Sequence, residues 1–158
     1  KFPHMDVHER PWLETRPRTS ASAHLFIKAV EVIERDGNGG DKTPQPYLDR
    51  LSTRAAWALR RAFFASAKDI SDWNVHREIA ERLGIDYGAV DEKIRSSEAV
   101  AQLAVDYNLS QNHKVEGSPT LIMNDGRQKL FGNVGYRLIE ANVQELLRNP
   151  SEDEASWC

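Results

Sequence analysis

The sequence predicts an α/β chain in which an all-helical block separates an N-terminal strand-and-helix unit from a C-terminal β-hairpin and helix. Three observations carry this. Residues 46–108 hold successive helical periodicities with no strand signal. Thr120 to Met123 and Gln128 to Phe131 are short apolar segments around Asn124-Asp125-Gly126-Arg127, and Asp-Gly between such segments favours a hairpin because both central turn residues need positive φ. Residues 115–126, VEGSPTLIMNDG, put a proline at the mouth of the first segment. A residue without a backbone donor belongs at an edge, a strand start or a special turn.

Taken in order, Lys1 to His8 reads as a short strand that Pro3 confines to an edge, and residues 9–19, with Pro11 and Pro17, read as a loop. From Ser20 the spacing turns helical: Leu25, Phe26, Ala29, Val30, Val32 and Ile33 form one stripe, Thr19 or Ser20 can cap it and Gly37 stops it. Residues 37–46, GNGGDKTPQP, form a loop rich in turn residues. Pro46 suits a first helical turn, and Leu48, Leu51, Ala55, Ala58, Ala62 and Phe63 extend a long amphipathic helix to about residue 67. Asp72 caps Trp73 to Leu83, which Gly84 closes; Asp86 starts a short helix with Val90 and Ile94. Ser96 or Ser97 caps the next, with Val100, Leu103, Ala104 and Tyr107 on one face. After the hairpin, Leu138, Ile139, Val143, Leu146 and Leu147 share a helical face that ends at Pro150.

The 158 residues are one domain's worth of chain, long enough for a core. The formal charge of −3, with both signs interspersed, argues against a nucleic-acid or anionic-membrane surface. No apolar run approaches bilayer length and no secretory signal is visible. Cys158 is the single cysteine, so the chain can form no intrachain disulfide, Cys-x-x-Cys pair or cysteine-based zinc site. A reducing, cytoplasmic compartment is favoured. The first residue is Lys1 rather than Met.

A strand that begins at Gly117-Ser118-Pro119-Thr120, turns through a hairpin and ends in a helix resembles the C-terminal half of a thioredoxin fold. The helical block before that proline narrows the resemblance to the DsbA family. FFASAKDISD, IAERLGID, VEGSPTLIMNDGRQKLFGNVGYRLIEANVQELL and the ending SWC are similar to its oxidoreductase-like branch, with the most specific match at residues 115–147. The resemblance implies a single DsbA-like thioredoxin domain. Residues 1–36 would be its edge strand and helix, residues 46–108 its helical insertion, and residues 115–149 its proline strand, hairpin and last helix. It makes Pro119 the candidate cis-proline, in the one kind of bond where cis costs little, roughly 0.5–1 kcal/mol. Ser118 becomes the residue whose backbone faces substrate, Gly117 the one that permits close approach, and Thr120 the start of the substrate-binding strand. Recognition would then run through backbone pairing with an extended segment.

The chain departs from the family where the chemistry lies. The family's Cys-x-x-Cys starts a helix after a first, central strand, and this sequence holds neither that β-α unit nor those cysteines. The expectation is therefore a domain whose N-terminal β-α unit is missing from this chain, with no catalytic residue of its own. A second copy or a complementing segment would supply the central strand. The implied activity is thiol–disulfide exchange on protein or small-thiol substrates: a thiolate with lowered pKa attacks a disulfide and a second thiol resolves the mixed disulfide. No cofactor is implied. Two other readings share the plan: a glutathione-dependent transferase or isomerase of the kappa or 2-hydroxychromene-2-carboxylate isomerase type, and a redox-inactive module that binds extended peptides.

The remaining reactive residues have plainer readings. His4 and His8 are surface or loop histidines, since a metal site needs three or four converging ligands. His24 lies beside an apolar stripe, His76 at a helix start and His113 in a polar loop, and no nucleophile-histidine-acid pattern joins them. Cys158, in the polar tail NPSEDEASWC, is a terminal thiol able to form mixed disulfides. Arg50, Arg54, Arg60 and Arg61 read as a solvated helix face with acidic neighbours, and Trp57, Phe63 and Phe64 as core or as the contact between helical block and sheet.

Overall fold

The computed structural model describes residues 6–37 and 45–148. The expectations for His4, most of the first strand, the centre of the 37–46 loop and the tail with Cys158 fall outside those residues. Of the expected strand, Asp6, Val7 and His8 are described and form no ladder; the His8 N–H instead donates to the Phe64 carbonyl at 2.7 Å. The chain divides into two compact units, Lys1–Val105 and Asp106–Cys158.

The first unit is helical: α1 (Pro11–Glu14), α2 (Ala21–Gly37), a 3-10 turn (Tyr47–Asp49), α3 (Leu51–Phe64), α4 (Trp73–Leu83) and α5 (Tyr87–Arg95), leading into α6 (Glu98–Asn112). Two segments differ from expectation. The 9–19 stretch contains α1, because Pro11 stands at its first position, where a missing N–H costs nothing. The long helix expected from Pro46 is two pieces, a 3-10 turn headed by Pro46 and then α3, separated by an extended Arg50 (φ −59, ψ 134).

Local chemistry explains most of the other boundaries. Thr19 Oγ1 accepts the Ala21 N–H at 3.0 Å just ahead of α2, and the N-caps of α4 and α5 accept in the same way, Asp72 from the Asn74 N–H at 2.9 Å and Asp86 from the Gly88 N–H at 2.8 Å. After α4, Gly84 takes φ +69, which only glycine adopts freely; Ile85 and Gly84 then return their N–H groups to the Ala80 and Glu81 carbonyls in the Schellman pattern.

The core lies among α2, α3, α4 and α5. Phe26, Ala29 and Val30 from α2 meet Ala55 and Leu59 from α3, Ile79 and Ala80 from α4, and Val90 from α5, with Ala99 from α6. Phe63 is buried against the Trp12 ring (centroids 4.5 Å apart), whereas Trp57 and Phe64 stand exposed rather than in the core. Lys93 bridges Asp36 and Glu98, each at 3.0 Å, tying α5 to the end of α2 and the start of α6. The expected apolar face of α6 has Val100 and Tyr107 exposed; Ala99 is the helix's buried residue.

The second unit carries β1 (Thr120–Met123) and β2 (Gln128–Phe131), antiparallel in the register Thr120↔Phe131 to Met123↔Gln128, then α7 (Tyr136–Leu147). The turn is broader than an Asp-Gly pair: Asn124, Asp125 and Gly126 all have positive φ, and the Arg127 N–H closes the turn on the Asn124 carbonyl at 3.1 Å. No residue of this unit is fully buried among the described residues, although Gln128 Oε1 is shielded from solvent. No helix among the described residues is long and apolar enough to cross a membrane.

Candidate functional site

The ladder explains how a proline can head β1. Gly132 donates its N–H to the Pro119 carbonyl at 3.0 Å, continuing the register by one pair beyond Thr120↔Phe131. Antiparallel pairs alternate between hydrogen-bonded and non-bonded, so Pro119, Leu121 and Met123 turn their backbone groups toward β2. Pro119 needs only its carbonyl there, and its missing donor leaves nothing unpaired. By the same alternation, the N–H and C=O groups of Thr120 and Ile122 point to the opposite edge, which has no strand beside it among the described residues.

The four predicted residues form one continuous surface at the head of β1. The Ser118–Pro119 peptide is cis, and both residues are exposed. No hydrogen bond reaches the Ser118 N–H or C=O among the described residues. Thr120 Oγ1 donates to the Gly117 carbonyl at 2.5 Å and folds the chain back over the proline. Gly117 is tight for a steric reason: a Cβ there would stand 3.1 Å from Cε2 of Phe131, so the ring occupies the space a side chain would need. From the other side, Lys129 Nζ donates to the Lys114 carbonyl at 2.5 Å, pinning the segment before Gly117 to β2. A Cβ on Gly126 would lie 3.2 Å from Nδ1 of His113, which places that histidine under the turn.

Sequence reasoning singled out Gly117 to Thr120 and did not name the residues that pack against them. Phe131 and Gly132 hold the site from β2, and the register of a hairpin centred on Asn124–Arg127 names both partners once it is counted outward. The other reactive residues are not drawn in. His8 accepts the Arg10 N–H at Nδ1 (3.2 Å) and lies 3.6 Å from the Glu14 carboxylate; His24 is exposed on α2. Among the described residues no three His, Cys, Asp or Glu side chains converge as metal ligands would. Cys158 lies outside them.

The arrangement offers backbone: an exposed, unpaired Ser118 peptide and a free edge of β1. A model of the DSBA-like thioredoxin domain matches residues 48–144, from the 3-10 turn through most of α7 and including this whole site. The chain belongs to the DSBA-like thioredoxin domain family. The ClpXP adapter protein SpxH of Bacillus subtilis (strain 168) is 28% identical over an alignment of 165 residues, which covers 85% of this chain and 55% of the adapter. The chain thus spans about half the length of the curated relative it matches.

Proposed function

We propose that this chain is the substrate-holding part of a DsbA-like thiol–disulfide oxidoreductase acting on protein or small-thiol substrates. One observation carries the reading: at the head of β1 the Ser118 peptide is solvent-exposed and has no hydrogen-bond partner among the described residues. An extended segment laid beside Gly117-Ser118-Pro119-Thr120 would pair with that peptide, and recognition by backbone is indifferent to side-chain sequence. The free N–H and C=O groups of Thr120 and Ile122 would take the central strand, from a complementing segment or a second copy. The chain's single cysteine is Cys158, so the attacking and resolving thiols would come from that same complement. A cytoplasmic setting goes with this reading.

A second reading, a redox-inactive module that presents a bound polypeptide, is favoured by the description of the Bacillus relative as an adapter of ClpXP. Both readings require the same binding surface. Anisotropy of fluorescein-labelled, reduced and carboxymethylated α-lactalbumin, a permanently unfolded probe, is expected to rise on titration with the chain. Ser118→Pro, which removes the backbone donor, should weaken that binding roughly tenfold, the value of a net hydrogen bond. Binding unchanged by the substitution would reject the surface. Intact mass after reduction and alkylation of the protein from its natural source then separates the two readings. A thiol pair besides Cys158 supports exchange, and Cys158 alone supports the adapter-like module.

A further inference from the structure

Outside that site, the first unit carries a groove lined by residues of the 3-10 turn, α3 and α4. Its volume is about 740 Å3, and its rim is set by Tyr47 and Leu48 in the 3-10 turn, by Arg54, Trp57 and Arg61 on α3, and by Arg82 on α4. Arg54, Trp57 and Arg61 lie at i, i+3 and i+7, one stripe of α3, while Ala55, Leu59, Ala62 and Phe63 form the stripe that enters the core. The groove stripe is thus free to serve something else.

Two properties of the stripe are unusual for a solvated helix face. First, Tyr47, Leu48 and Trp57 are 68%, 76% and 56% exposed, three large apolar side chains around one concavity. Second, the charge is one-sided. Arg54, Arg60, Arg61, Lys68 and Arg82 line the groove and no carboxylate among the described residues does, in a chain whose formal charge is −3. Glu78 holds Lys68, but none of the four arginines makes an ion pair among the described residues. Asp49, Glu78 and Glu81 belong to the same elements and stay out of the lining. Among the described residues, the acidic neighbours that would make this arginine cluster a neutralised surface are not in the groove.

We propose that this groove is a docking site for an acidic peptide segment of a partner protein, anchored by a leucine or aromatic residue beside Trp57. Guanidinium groups match carboxylates in paired hydrogen bonds, and tryptophan, tyrosine and arginine are the side chains that dominate peptide interfaces. A small inorganic anion would leave the apolar rim unused. A nucleic acid would offer phosphates to the same cations, and the displacement arm of the test separates it from a peptide. The groove belongs to the first unit alone and is independent of the Ser118 surface in the second.

The test is titration of the chain into a fluorescein-labelled dodecapeptide, EEDLLEEFEEDE, at about 0.05 M and about 0.5 M salt. Binding that weakens with salt is expected. The double substitution Arg54→Glu/Arg61→Glu should reduce affinity at least about tenfold, and Trp57→Ser by a similar factor. Both alter exposed side chains, and circular dichroism with a melting curve verifies that each variant folds. A peptide with lysine at every acidic position should not bind. The proposal is overturned if the lysine peptide binds equally, if folded variants bind like the parent, or if the acidic peptide does not bind. It is also overturned if an unlabelled single-stranded DNA of equal charge displaces the peptide as well as unlabelled peptide does, since the groove would then be a general anion surface.

Discussion

His76 shows how one residue's environment fixes its chemistry. Its side chain is fully buried on α4, stacked on Phe26 at 5.2 Å and edge-on to Trp73 at 4.9 Å. Nε2 lies 2.8 Å from the Ile70 carbonyl, which can only accept, so Nε2 carries the proton; Nδ1 is buried with no partner among the described residues. Burial lowers the pKa of the ring, opposed in part by the Ile70 carbonyl and by the charge of Asp72. A neutral histidine in the folded state contributes stability that is complete above its unfolded pKa, about 6.5, and is lost as the pH falls through the lower folded value. Urea unfolding between about pH 7.5 and about pH 5 should show stability falling by up to about 1.4 kcal/mol per pH unit from this group. His76→Gln should flatten that part of the profile, and an identical acid slope in the variant would refute the assignment. The placement was readable: Ile79 and Ala80 follow His76 at i+3 and i+4, so the residue at a helix start is also a member of the apolar face.

At the scale of elements, legibility followed the distance between partners. Asp72 and Asp86 cap helices two residues onward, and both were readable because donor and acceptor share one short segment. The start of α3 was not, because its cap comes from another helix. Glu34 of α2 accepts the Leu51 N–H at 2.5 Å, the Ser52 N–H at 3.3 Å and the Ser52 hydroxyl at 2.8 Å, across 17 and 18 residues. Its negative charge also suits a helix N-terminus. Hence α3 begins at Leu51 rather than at the proline that looked like its first turn. Glu34→Ala should cost about 1–2 kcal/mol in chemical denaturation, since it strands donors beside a buried Ser52, with Glu34→Gln recovering part of the loss. The control is Glu31→Ala, which removes only an exposed pair with Lys28 and should cost well under about 1 kcal/mol. Equal losses for Glu34→Ala and Glu31→Ala would remove the capping role. The hairpin belongs with the legible elements: its strands, their alternation and the residues around the turn follow from twelve residues, Thr120–Phe131. That Pro119 spends only its carbonyl on the ladder needed the register.

At the scale of the whole molecule, the two units differ in what holds them. The first closes over Phe26, Val30, Ile79 and Val90, none of which touches water, so its helices open only when that core is lost. The second presents Leu121, Phe131, Leu138, Val143 and Leu147 to solvent and has no fully buried residue among the described ones. Apolar area left in water forgoes about 25 cal/mol per Å2, and a hairpin of two strands is marginal without a packed face. The edge at Thr120 and Ile122 is likewise unpaired among the described residues; the family and the hairpin could be read from sequence because their signals are local, while the exposure of the apolar face of α7 could not, because exposure depends on residues that are not neighbours in the chain. The amides of β1, β2 and α7 should therefore exchange with solvent at least about a hundredfold faster than those of α2 and α3 in native-state hydrogen exchange. Adding a complement that supplies the central strand should slow exchange at Thr120 and Ile122 first, since their N–H groups face the free edge, and at Leu121 and Met123 less, since theirs already face β2. Uniform protection across both units in the chain alone would mean that the second unit is stabilised by something other than its own packing, and the strand-complement reading would lose its physical basis.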